Sequence, residues 1–347
     1  MPSRTGGSTY IGYDLGATFG TAVAAGTGDQ LQVESLDQSD NPTELTLNPI
    51  GAGLNMQNQS DVGASNPSVT VNAPLGYNDA FNFIQGQFQG LEVVTASASA
   101  NIHSFFFNAT RNTNWGTLGF HLNSNTAAEF INCVPTALGI TVAPNDYVRA
   151  NATLLSTQRR TSGTTNTAAS LLTTTQANSQ RIIARPSDRF MVNAQAGAAL
   201  AAGDKVDVTN LEINFSYEQE LVGEIRNSAG FGAPRASGTP PLTVEITATL
   251  KELDLPTWYT AYEAGTEYKA ELLITGPVLG STTYKYRILF PRLKIVSDPQ
   301  YNLSTPAVNE HVVVFRALVA TAAPTGMPDI YPFIEITNDR ASRYLVI

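Results

Sequence analysis

The chain has little of what catalysis or metal binding usually needs. A single cysteine, Cys133, stands in 347 residues, which excludes an internal disulfide and any multi-cysteine zinc site. A small buried strand residue is the reading left for it. The histidines His103, His121 and His311 are widely separated, so no His-x-x-His metal clip exists. Each reads as an ordinary strand or loop residue. Charged residues make up 14% of the chain, against roughly 25% in an average soluble protein. Lysine is the scarcest, five against fifteen arginines. The formal net charge of −9 and the lack of a basic run argue against sequence-specific nucleic-acid binding. No apolar run approaches the ~18 residues of a membrane-spanning helix. Met1 to Gly7 has one arginine and no apolar stretch after it, so no secretion signal is expected.

Apolar content is 42%, enough for a sizeable core. The length exceeds the size at which one core usually stops growing, so two domains are expected. Short runs rich in Thr, Val, Ile, Tyr and Phe are separated by Pro, Gly, Asn and Ser clusters, which reads as mainly β. Asn210 to Glu220 is the clearest strand. Leu211, Ile213, Phe215 and Tyr217 alternate with Glu212, Asn214, Ser216 and Glu218, so one sheet face is buried and the other is hydrated. Leu242 to Leu250 repeats the pattern. Tyr284 to Phe290 and His311 to Ala320 are further strands, the last apolar on both faces as a central strand would be.

Two segments predict helices. Asn78 to Phe88 places Phe81, Ile84 and Phe88 on one side with Asn78 or Asp79 as cap. Pro256 to Ala264 begins with a first-turn proline and stops at Gly265. Each helix follows a short strand and precedes further strands, so the pattern occurs twice and a duplicated domain is expected. Residues 1–40 read as an N-terminal arm and 41–157 as a first β-rich domain. Residues 158–203 read as a linker or extra strand region, and 204–347 as a second β-rich domain. The stretch 222–241 is a hairpin tip far longer than usual and reads as a contact loop carrying Arg226, Phe231 and Arg235.

The chemical motifs are weak. Tyr10 to Gly20 resembles the first phosphate loop of the actin and sugar-kinase superfamily, with Asp14-Leu15-Gly16 followed by Thr18. That fold needs long alternating helices, which are missing here, so a strand and turn is the better reading. Asp37, Asp40 and Glu44 lack the spacing and central glycine of a calcium loop. Glu212, Glu218, Glu220 and Glu245 lie on polar strand faces, where a glycosidase carboxylate pair would have to sit. A sugar-binding sandwich would also show a cluster of exposed tryptophans, and only Trp115 and Trp258 exist. No catalytic residue, metal ligand or cofactor is expected.

Four stretches resemble the long, two-domain tail tube proteins of long-tailed bacteriophages. They are Gly16 to Thr21, residues 68–90, the run EFINCVPTALGITVAPNDYVRANATLL at 129–155, and residues 204–300, which include Phe290-Pro291-Arg292-Leu293. The family often has glycine near Asn132. The resemblance implies two tandem β-sandwich domains, each with one short flanking helix. It also implies edge-to-edge joining of sheets into trimeric, pseudo-sixfold rings stacked as a hollow tube. Double-stranded DNA would pass through the lumen without specific binding. Tape-measure, tail terminator and baseplate proteins would be partners, and no membrane would be. Assembly would take place in host cytoplasm, with the product in the virion tail. Glu212, Glu218, Glu220 and Glu245 become candidates for the lumen. Arg226, Phe231 and Arg235, with the arm and residues 58–66, become candidates for contacts between rings. The alternatives are another β-rich virion protein, such as a capsid decoration or coat protein, or a carbohydrate-binding sandwich.

Overall fold

The alternation of Leu211, Ile213, Phe215 and Tyr217 with polar neighbours fixes one strand face, and all four side chains are buried. A computed structural model describes residues 10–40, 42–47, 59–65, 67–108, 114–123, 125–177, 180–221, 233, 235–236, 242–251, 255–301 and 310–346. The fold is mainly β, with three short α-helices among these residues.

The first half contains β1 (Ile11–Gly16), β2 (Ser35–Ser39), β3 (Ser68–Pro74) and helix α1 (Phe81–Gln89). A hairpin of β4 (Gly90–Ser97) and β5 (Ala100–Phe107) follows. Then come β6 (Trp115–Asn123), the long β7 (Thr126–Val142), β8 (Arg149–Leu155) and β9 (Gln158–Arg160). Helix α2 (Ala168–Thr173) lies in the stretch between the halves, and β10 (Arg189–Ala194) joins the sheet of the second half. The second half has β11 (Val208–Tyr217), β12 (Leu242–Lys251), α3 (Leu255–Ala264), β13 (Glu267–Leu279), β14 (Thr282–Ile295), β15 (Glu310–Ala317) and β16 (Phe333–Asn338).

The pairings reveal a duplication more regular than the sequence. In the first half β1 pairs β6, β6 pairs the start of β7, the end of β7 pairs β8, β8 pairs β3, and β3 pairs β2. In the second half β10 pairs β13, β13 pairs β14, the end of β14 pairs β15, β15 pairs β12, and β12 pairs β11. The closing strand of each half, β9 or β16, returns to the start of its long strand. Every one of these pairings is antiparallel. Helices α1 and α3 each end on a glycine in the left-handed region, Gly90 at φ 91° and Gly265 at φ 63°, where a side chain would be strained. The β4–β5 hairpin breaks the parallel. It is inserted after Gly90, whereas Gly265 leads directly into β13.

The long strands β7 and β14 each serve two layers, pairing different neighbours along their lengths. In β7 the change occurs at register shifts around Asn132 and Pro135, the kind of bulge that bends a strand. Apolar side chains from both layers and both halves form one contiguous core. Phe215 of β11 stacks on Phe290 of β14 and meets Phe88 of α1 edge-on.

Helix α1 starts at Phe81 rather than Asn78, and Asp79 accepts the Phe81 amide at 3.0 Å. All nine of its residues are buried, so it has no solvated face. Its amides are satisfied instead. Gln87 donates to the carbonyls of Asn114 and Cys133 and accepts from the Tyr13 hydroxyl, while Gln85 accepts from Tyr286. Helix α3 is one-sided, with Trp258 packed on Tyr268 and Phe315 and Tyr259 exposed.

Candidate functional site

No group of three or more His, Cys, Asp or Glu side chains is placed to hold a metal ion among the described residues. Nor is any helix among them long and apolar enough to cross a membrane. Asp14 sits inside β1, opposite Thr117 of β6, and spends one carboxylate oxygen on the Leu15 amide. That is a strand position, with no loop around it to cradle phosphate. Burial, together with Asp29 nearby, pushes its carboxyl up to about 6. Cys133 is fully buried in β7, and desolvation pushes its thiol up to about 12, which leaves it inert. His103 pairs with buried Glu92 at 2.7 Å and reaches the Arg340 carbonyl at 2.8 Å through its other nitrogen. These groups tie the fold together.

The most extended feature is a single sheet that runs through both halves. The end of β7 pairs β11 from Ala137–Ser216 to Val142–Leu211. This pairing joins β2-β3-β8-β7 to β11-β12-β15-β14 in one hydrogen-bonded order. One face is core. The other carries rows of short polar side chains in register. One row reads Ser35, Asn72, Asn151, Gly139, Asn214, Glu245, Arg316 and Lys294. Asn72 donates to the Ser35 hydroxyl at 2.7 Å. Gly139 leaves room for its neighbour, since a Cβ there would meet the Asn151 amide at 2.7 Å.

Charge on this face is sparse and nearly balanced. Asp37, Glu212, Glu245 and Glu310 stand against Arg149, Lys294 and Arg316. Glu245 contacts Arg316 at 3.4 Å, and Arg149 bridges Glu34 and Asp146. Arg149 holds the Asp146 carboxyl below the usual carboxylate range. All three ion pairs are half-exposed, so they set local charge more than stability.

Of the four glutamates singled out from the sequence, Glu212 and Glu245 lie on this face, in adjacent strands. Glu218 and Glu220 lie beyond its paired rows. They follow the end of β11 and are exposed, with Glu220 opposite Arg235 in a short ladder that also pairs Gln219 with Ala236. Arg235 is therefore exposed at the base of the long hairpin. Arg226 and Phe231 lie outside the described residues. The first half has its own hairpin in the equivalent place, Pro42–Leu47 paired with Gln59–Ser65. The expected contact segment 58–66 falls largely on its second strand.

Two features of this surface had no signal in the sequence. Among the described residues β2 pairs only β3, so its other edge is open. A groove beside it is lined by Ile11, Leu31, Val33, Phe120 and Gln38. At the far end, Val296–Tyr301 pairs β15 on one side and has no strand on the other among the described residues. Val296 and Val312 are exposed there.

No curated protein matches the chain. The family described as phage tail tube protein matches residues 6–317, from the arm to the last residue of β15.

Proposed function

The chain belongs to the phage tail tube protein family and is thus a structural component of the virion tail; from this premise we propose that it self-assembles into trimeric rings stacked as a hollow tube for DNA passage. The observation that carries the proposal is the β7–β11 pairing, which merges the sheets of two similar halves edge to edge. Repetition of that join between chains closes a barrel and leaves no edge open. Two domains per chain make three chains a pseudo-sixfold ring, a heterologous contact that closes on itself.

In this reading the polar face of the long sheet lines the lumen. Its short Ser, Thr and Asn side chains hold water, and its few charges are of both signs. Such a wall offers phosphate no cationic track to bind. Glu212 and Glu245 are among its acidic members, with Asp37 and Glu310. Arg226, Phe231 and Arg235 of the long hairpin, together with the hairpin of the first half, supply contacts between stacked rings. Tape-measure, terminator and baseplate proteins are the expected partners, and no cofactor takes part. Host cytoplasm is the expected place of assembly.

Sedimentation of the purified protein over a concentration series tests self-assembly. The expected result is a species of three chains giving way to larger polymers. A single-chain species at every concentration would contradict it.

A further inference from the structure

Besides the packing of α1 against Phe215 and Tyr286, the seam between the two halves of the chain has three ties. The first is the β7–β11 ladder in the long sheet. The second lies in the other layer, where β5 of the first half pairs β16 of the second, from Asn101–Asn338 to Phe105–Ile334. The third is the C-terminal tail. Glu92 in β4 accepts the amides of Tyr344 and Leu345 at 2.8 Å each, Asn114 accepts Val346, and Arg340 lies over the rings of Phe83 and Tyr344.

The duplication gives each of these positions a counterpart. The counterpart of β11 is β2, whose outer edge is open among the described residues. The counterpart of the end of β7 is the segment Lys294–Tyr301, whose outer edge is open among the described residues from Val296 onward. Each open edge thus corresponds to an edge that the chain fills internally, and it is filled by the counterpart of the other open edge. The occupant of the groove beside β2 follows directly: it is the Val296–Tyr301 edge of a second copy. An extended segment seated there continues the long sheet by ladder hydrogen bonds.

The outer ties have no such counterpart. β5 fills the edge of β16, and β9 stands where β16 stands, but the second half carries no hairpin between Gly265 and β13 to reach a neighbour's β9. The tail Asp339–Val346 is likewise used up inside its own chain. We propose that the strand ladder between neighbouring chains runs through the long sheet, β2 of one copy against Val296–Tyr301 of the next, and not through the outer layer. The seam between chains is then the weaker one, and assemblies come apart into whole, rigid chains. This rests on the ring assembly proposed above and adds which edges meet and which seam yields.

Cysteine cross-linking tests it in the full-length chain. Cys133 is fully buried, so the background is silent. Ser35→Cys or Asp37→Cys is combined with Val296→Cys or Asp298→Cys, all outward positions on the open edges. Adjacent strands bring Cα atoms to the ~5.5 Å that a disulfide needs. Oxidation is expected to give covalent dimers and trimers from at least one combination. A control pair, Val93→Cys on the open side of β4 with Val296→Cys, is expected to stay monomeric on a non-reducing gel. Electron microscopy of the same samples separates the two ways of failing. Rings without cross-links in any combination, or with equal cross-linking of the control, overturn the seam and leave the ring reading standing. Neither rings nor cross-links at any concentration overturns both.

Discussion

Asn132 occupies a backbone conformation that most residues avoid, with φ of 55° at the bend of β7. Its side chain earns the place by accepting the Gly20 amide at 2.8 Å and donating to the Thr157 hydroxyl at 2.7 Å. Asn132→Ala is expected to destabilise the fold by about 1–2 kcal/mol more than Asn132→Gly, since only alanine adds backbone strain. Equal urea midpoints for the two variants would contradict this. Asp14 gives a pH signature. Its folded carboxyl is raised from the model-compound value of 3.8 to about 6, so the native state binds the proton more tightly than the unfolded chain does. The contribution of this group is therefore fully present below pH ~4 and is lost as pH rises through about 6. Asp14→Asn is expected to raise the melting temperature at pH 8 relative to wild type, with the gain vanishing at pH 4. A gain that grows toward low pH would be wrong-signed. At this scale the sequence was readable where a residue type has one habit. Cys133 was legible as a buried strand residue. The Glu92–His103 pair was not, because the two residues meet only after β4 and β5 have paired.

At the scale of elements, periodicity placed the strands well. The expected strands at 210–220, 242–250, 284–290 and 311–320 are those observed within a few residues at their ends. Both helices were also legible, the second from its flanking proline and glycine. The burial of α1 on every side was harder to see, yet a trace exists: the helix FNFIQGQFQ contains no charged residue, and a solvated face would carry some. The expected central position of His311–Ala320 holds, since β15 is flanked on both sides. Its second apolar face is nevertheless open at Val312, which alternation alone does not distinguish from burial. The β4–β5 hairpin and the tail act as one clamp centred on Glu92. Glu92→Ala removes the acceptor for His103 and for two backbone amides inside a dry site. Breaking such a pair from one side costs about 3–5 kcal/mol. Denaturant unfolding checks this, and a loss under ~1 kcal/mol would mean that water replaces the carboxylate.

For the whole molecule, duplication was visible as a repeated order of elements, but its outcome was not. Which edges meet is decided by pairings over more than a hundred residues of chain, as between β5 and β16, and local sequence carries no register for these. The long hairpin was legible from its length and composition alone. Deleting residues 224–238 is expected to leave folded chains that form rings and do not stack, which sedimentation separates from tubes. Normal-length tubes from the deletion would remove the hairpin from the inter-ring contact. The most direct test of the central claim is electron microscopy of the purified protein, with end-on views averaged without imposed symmetry. The account predicts hollow rings of three chains showing six similar lobes, stacked into tubes as concentration rises. Compact single chains throughout, or closed shells and flat sheets in place of tubes, would contradict it.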